Sequence, residues 1–254
     1  MDFLDEVVPC VRQAIRDGHY DLKGHEFDCH SLKADIEGRP FSLIPVIEHR
    51  SPVEKRLFDG DVRLLAHEMA KAGAHALSVV CERNLFCGRM EDLAHAKAQG
   101  LPLLYKDFVV DPIQIDAAKG NGADAILLIK SLFDKKHTSF SLEEAIQYCH
   151  DCGLETLLEV FTLKEFNEGK DTESDLIGIN NRNLKTLTVD LSMTSKILKR
   201  SSPDRPVISE SGVRTRADML HLQATGAKAV LVGTSILKSQ NPSFMIRELL
   251  GEPT

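Results

Sequence analysis

The chain has 254 residues, 43% of them hydrophobic and 27% charged, an ordinary globular composition with enough apolar material for one complete core. Its formal net charge of −7 excludes any general attraction for nucleic acid or anionic lipid, so an anionic ligand must be held by a few local cations and backbone N–H groups. No apolar run approaches the roughly 20 residues that cross a bilayer, and the opening Met1-Asp2-Phe3-Leu4-Asp5-Glu6 is acidic where a secretory leader is basic, so a cytoplasmic protein without a membrane partner is expected.

Taken in chain order, Phe3, Leu4, Val7, Val8, Val11 and Ile15 fall at helical spacing. They predict that residues 1–40 form a helical extension of one or two helices covering one end of the domain that follows. His25, Cys29 and His30 cluster in the next polar stretch, but no matching ligands lie elsewhere, and no metal is expected. Residues 41–254 contain eight short apolar runs, at 43–48, 76–80, 101–106, 125–129, 156–160, 176–180, 206–209 and 229–233. Each is apolar on successive residues, as a parallel strand covered on both faces requires. Amphipathic stretches such as 62–72 and 141–149 lie between them, the second opening with Ser141 and Glu144 in capping-box spacing. The gap between 160 and 176 is tight for a helix. Gly73, Gly122 and Gly226 each end a helix-like stretch and open a Gly-Ala-x-Ala run into a strand. Helix, glycine and buried strand, repeated, with no Gly-x-Gly-x-x-Gly after any strand, predict a single α/β domain, a (β/α)8 TIM barrel, rather than an open dinucleotide-binding sheet. The six cysteines are dispersed; Cys149 and Cys152 have C-x-x-C spacing, but with no second pair the expectation is helix-face packing.

Barrel active sites lie at the C-terminal ends of the strands. Those positions carry Glu48, Glu82, Lys106, Lys130, Glu159, Asn180 with Arg182, Glu210 with Ser211, and Gly233 with Thr234. Wet loops alone would account for most of them. Glu159, however, sits within Leu157-Leu158-Glu159-Val160-Phe161, where a carboxylate must meet a cation or stay protonated; a structural ion pair and an acid–base group are the two readings. Lys106 closes Leu103-Leu104-Tyr105, and partial desolvation should lower its basicity and make it a proton donor. Ser211-Gly212-Val213 and Gly233-Thr234-Ser235 occupy the two loops where barrels most often bind phosphate. The residues alone thus describe a barrel that holds a phosphorylated small molecule, with a lysine and glutamates for proton transfer.

At these positions the chain resembles indole-3-glycerol phosphate synthase. The matching segments are Leu101-Pro102-Leu103-Leu104-Tyr105-Lys106-Asp107-Phe108, residues 122–129, Leu158-Glu159-Val160, Gly178-Ile179-Asn180-Asn181-Arg182-Asn183-Leu184 and Ser209-Glu210-Ser211-Gly212. The resemblance runs from about Ser51 to the C-terminus. It implies closure of the pyrrole ring of 1-(2-carboxyphenylamino)-1-deoxyribulose 5-phosphate with loss of carbon dioxide and water, a step of tryptophan biosynthesis that needs no cofactor. By the same resemblance Lys106 is the general acid and Glu159 its partner in dehydration, with Glu48 the acid of strand one. Ser51, Asn180, Arg182, Glu210 and Ser211 would orient the substrate, and Gly212, Gly233 and Thr234 would hold its phosphate. The resemblance allows a docking partner among the pathway's other enzymes but identifies none.

Strand one departs from the family, which carries Glu-x-Lys, two residues, then Ser-Pro-Ser. Here the segment is Val46-Ile47-Glu48-His49-Arg50-Ser51-Pro52-Val53. Without a gap, Val46 and Glu48 take the Glu and Lys positions; with a two-residue deletion, Glu48 and Arg50 take them. The second is the expectation, because it keeps an acid on the strand and a substrate-binding cation, Arg50, near the phosphate, though arginine does not release its proton. A phosphoribosylanthranilate isomerase would need Cys after strand one and Asp after strand six, where this chain has Glu48 and Asn180. A barrel that binds without catalysis draws support from strand one and is opposed by Lys106 and Glu159.

Overall fold

The computed structural model describes residues 2–21, 24 and 27–253. His25, weighed above in a metal cluster, lies outside them. The eight apolar runs become β1 (Ser42–Ile47), β2 (Leu77–Val80), β3 (Leu103–Lys106), β4 (Ala125–Ile129), β5 (Glu155–Val160), β6 (Leu176–Asn180), β7 (Val207–Glu210) and β8 (Ala229–Val232). They close in chain order into a parallel barrel, β8 returning to β1 through the pairs Ser42↔Ala229 and Pro45↔Val232. β3 and β7 begin just after Pro102 and Pro206, which have no N–H to place in a ladder.

The intervening helices are α1 (Phe3–Arg16), α2 (Leu32–Glu37), α3 (Val62–Lys71), α4 (Glu91–Lys97), α5 (Pro112–Gly120), α6 (Lys130–Asp134), α7 (Leu142–Asp151), α8 (Leu163–Lys170), α9 (Ser192–Leu198), α10 (Arg216–Ala224), α11 (Thr234–Leu237) and α12 (Pro242–Leu250). The Ser141–Glu144 capping box forms as expected, and Thr162 with Glu165 builds another that starts α8 promptly enough to fit the tight gap.

The strand pleat sorts the buried residues into two cores. Leu43, Ile47, Leu77, Val79, Leu158 and Val160 face outward into the layer shared with the helices. Ile44, Val46, Val80, Leu104, Leu127, Leu157 and Ile208 face inward and fill the barrel. The inward set continues along each strand, so the next inward positions toward the C-terminal mouth are Glu48, Lys106, Glu159, Asn180 and Glu210. A polar tier thus rests on an apolar floor.

The residues before β1 do not cover one end, as expected, but place one helix at each. α1 lies over the C-terminal mouth: Phe3 meets Phe86 and Phe108 edge-on at centroid distances of 6.4 and 5.9 Å and donates its N–H to Leu184 O. α2 plugs the opposite end, with Leu32 and Ile36 fully buried in the inner core. There the His30 N–H donates to Asp124 at 2.8 Å and the Lys33 N–H to Glu155 at 2.9 Å. The physical reason is that both open ends of an apolar barrel need a cover, and the segment between the two helices is long enough to pass from one to the other. Asp124 also holds the buried ammonium of Lys97 at 2.6 Å. Cys149 is buried on α7 and Cys152 half-buried beyond it; all six cysteines are free thiols, and no metal-ligating cluster occurs among the described residues.

Candidate active site

A cavity of about 500 Å³ opens at the mouth. Its wall brings together most of the residues singled out from sequence: Glu48, Ser51, Lys106, Glu159, Asn180, Arg182, Glu210, Ser211, Gly212, Gly233 and Thr234. The centre is Lys106, whose ammonium donates to Glu210 at 3.1 Å and to Glu159 at 3.4 Å. Glu159 also accepts from the Asn180 side-chain amide at 3.0 Å, while the Asn180 carbonyl accepts from the Arg182 N–H at 2.9 Å. Burial works against the Lys106 ammonium, but the two adjacent carboxylates outweigh it and leave its pKa raised. The expected loss of basicity therefore does not occur: burial is the largest single influence on the ammonium, but the two carboxylates together exceed it.

Glu210 carries the other half of that balance. Burial raises its carboxyl to about 7 against the pull of Lys106, with Glu159 raising it further, and one oxygen lacks a hydrogen-bond partner. Space for that oxygen comes from β6: a Cβ on Gly178 would lie 2.1 Å from Glu210 Oε1. Glu48 is also buried and raised to about 7 by that burial, with Lys106, the Thr234 hydroxyl and Arg182 pulling the other way.

Strand one resolves against the gapped expectation. The pleat turns Ile44, Val46 and Glu48 inward, whereas Arg50 lies past the strand end, exposed and off the cavity wall. No cation from this segment reaches the mouth, and the geometry favours the ungapped register, in which Val46 and Glu48 hold the inward positions. Two other strand-end residues serve structure. Glu82 accepts the N–H groups of Asn84, Leu85 and Phe86 and fixes the loop after β2. Lys130 is paired with Asp134 and Glu168, both at 2.8 Å, outside the cavity.

The turn after β7 is unusual: Ser211 and Gly212 are both left-handed, at φ +66° and +97°. A serine in that region is strained by about 1–3 kcal/mol and must be held. Asn181 holds it, its amide donating to Ser209 Oγ and to the carbonyls of Glu210 and Ser211 while its own oxygen accepts from Thr194. Sequence reasoning quoted Asn181 within its motif but gave it no role; its place on a buried strand end beside Asn180 was the available signal. Asp107 was also passed over. It lines the cavity, accepts from the hydroxyls of Tyr20 and Tyr105, both at 2.9 Å, and is raised to about 7 by burial and by Glu82.

Raised carboxyls have a consequence for stability. Glu48, Glu210 and Asp107 hold their protons more tightly folded than unfolded, so stability is fully present below their unfolded pKa values of roughly 4 and falls as pH rises toward 7. His49, raised by its buried contact with Asp92, adds in the same direction; His75, lowered by burial, opposes. The urea midpoint is expected to be higher at about pH 5.5 than at about pH 8. A midpoint that rises across this range would contradict the assignment.

The fold and site together define a (β/α)8-barrel enzyme with a lysine–carboxylate centre. Comparison with known proteins places it further. Residues 17–249 match the family model described as indole-3-glycerol phosphate synthase. Curated relatives of that name include one from Exiguobacterium sibiricum, 35% identical over 99% of this chain and 98% of its own length, and one from Aquifex aeolicus, 38% identical over 82% and 81%. The chain belongs to the indole-3-glycerol phosphate synthase family. Among solved structures, N-acetylmannosamine-6-phosphate 2-epimerase from Clostridium perfringens, at 16% identity and TM-score 0.63 over 90% of this chain and 99% of that one, shares the fold. No helix among the described residues is long and apolar enough to cross a membrane.

Proposed function

We propose that this protein is an indole-3-glycerol phosphate synthase, converting 1-(2-carboxyphenylamino)-1-deoxyribulose 5-phosphate to the indole with release of carbon dioxide and water. The observation that carries the reading is the Lys106 ammonium held between Glu159 and Glu210 over an apolar floor. As the ring carbon attacks the ketone, Lys106 gives its proton to the carbonyl oxygen, which would otherwise become an unstabilised alkoxide. Glu159, oriented by Asn180, is the partner that moves the proton needed to expel that oxygen as water. Glu210, with a carboxyl near neutrality, returns a proton to Lys106. Arg182, Ser51 and Ser211 lie where they would orient the substrate, and Gly212, Gly233 and Thr234 where they would take its phosphate. Ring closure needs proton transfers alone, so none of these steps calls on a cofactor. Six free thiols fit a reducing compartment such as the cytoplasm.

The test is direct, because the chain contains no tryptophan and its own emission does not mask an indole. Incubating the protein with the ribulose phosphate substrate is expected to give rising indole fluorescence. No turnover at high enzyme concentration would instead indicate a barrel that binds this ligand without converting it, a reading to which the altered strand one lends its only support.

A further inference from the structure

We propose that seating the phosphate ester requires Glu48 to take up a proton, so that ligand binding and protonation of this carboxyl are one coupled event. The inference rests on the reading above in placing the phosphate at the turns after β7 and β8.

Glu48 lies against those turns. Its Oε1 accepts from the Thr234 hydroxyl at 3.3 Å, and it packs so closely on Gly233 that a Cβ there would sit 2.8 Å from the same oxygen. A phosphate bound to the Gly233–Thr234 backbone therefore comes within contact range of the carboxyl. An ionised carboxylate offers a phosphate dianion repulsion and no donor; the protonated acid offers an O–H. The balance is simple: the carboxylate takes one proton from solvent, and its new O–H donates to a phosphoryl oxygen.

The surroundings leave that proton within reach at neutral pH. Lys106 from β3 and Arg182 from the loop after β6 favour the ionised form, as does the Thr234 hydroxyl, while burial opposes all three and holds the carboxyl at about 7. Lys106 is already shared between two carboxylates, Glu159 and Glu210, while Arg182 keeps its charge but is tethered to a neutral carbonyl on the loop after β6, Leu187 O at 3.1 Å. Arg214, exposed at the rim, adds attraction for an anion from outside. The neighbouring inward faces are apolar, with Val46 on β1, Val80 on β2 and Leu231 on β8. Glu48 thus supplies by protonation the donor that a lysine would supply permanently.

Inorganic sulfate is the suitable probe, since it stays a dianion across the range in which phosphate itself titrates. Calorimetry in two buffers of unlike ionisation heat should show uptake of close to one proton per sulfate at about pH 8, and a dissociation constant that rises roughly 25-fold from about pH 6.5 to about pH 8.5. In Glu48→Gln, the near-isosteric amide, both effects should vanish; in Glu48→Lys, sulfate should bind more tightly and without uptake. Sulfate binding by the unmodified protein without proton uptake overturns the inference, as does uptake that persists in Glu48→Gln, which would assign the proton to Glu210. Failure to bind sulfate at about pH 6.5 overturns it also. Indole formation measured on the same preparation separates the two readings: turnover without proton uptake removes only this inference, and uptake without turnover removes only the proposed activity.

Discussion

Replacing Lys106 with alanine is expected to lower kcat by at least about 1,000-fold while KM changes by less than about threefold. General acid catalysis is worth roughly 100- to 10,000-fold, and the upper part of that range applies where no water stands in for the missing donor. Lys106 is the ammonium held between Glu159 and Glu210 over an apolar floor, so its removal leaves the carbonyl oxygen facing carboxyl groups, which stabilise a developing alkoxide far less than a cation does. Lys106→Arg should be nearly as inactive: the charge persists, but a guanidinium does not give up its proton and its fork does not fit between two single carboxylate oxygens. The raised basicity of Lys106 does not weaken this expectation. An alkoxide is a far stronger base than an amine, and a carboxyl near neutrality stands ready to restore the ammonium. Steady-state indole formation by each variant, with circular dichroism to confirm folding, decides the matter; a rate near that of the unmodified enzyme would place the proton donor elsewhere.

Gly178→Ala is expected to destabilise the protein by about 2–3 kcal/mol and lower kcat about 100-fold. The added methyl would stand 2.1 Å from Glu210 Oε1 and 3.4 Å from Leu157 Cδ1. Leu157 can yield a little; Glu210, almost wholly buried and tied to Lys106, has to swing away. Urea unfolding of Gly178→Ala, Glu210→Ala and the double variant tests this as a cycle. The double variant should recover most of the stability lost in Gly178→Ala and none of the activity. Additive losses would mean that the methyl clashes with something other than the carboxylate.

The barrel was legible because its grammar is local. Each strand announces itself by consecutive apolar residues and each helix by a cap or a closing glycine, so eight runs could be counted and their C-terminal ends named without knowing how they close. Glu159 was legible for the same reason, as a charge placed where its neighbours forbid water. What escaped depends on distance in space. The direction of the Lys106 shift required knowing that two carboxylates from β5 and β7 converge on it, 53 and 104 residues further along. The place of Arg50 turned on where β1 ends, and strand ends are the features that a run of apolar residues fixes least well. A two-residue slip keeps the same face of a strand, so pattern alone could not choose between the registers; only the end of the strand excluded Arg50. Asn181 and Asp107 stand at legible strand ends, but their work is to hold other residues, and the partners of a supporting hydrogen bond are not written in the sequence beside them.

The first helix also bears on how the chain is made. Its apolar stripe of Phe3, Leu4, Val7, Val8 and Val11 is completed by Phe86, Phe108, Leu184 and Leu187, residues that leave the ribosome much later. During synthesis that stripe is not fully covered until Leu184 and Leu187 have emerged. A nascent chain stalled before residue 184 should therefore engage holdase chaperones through α1, and release them once the loop after β6 arrives to take their place.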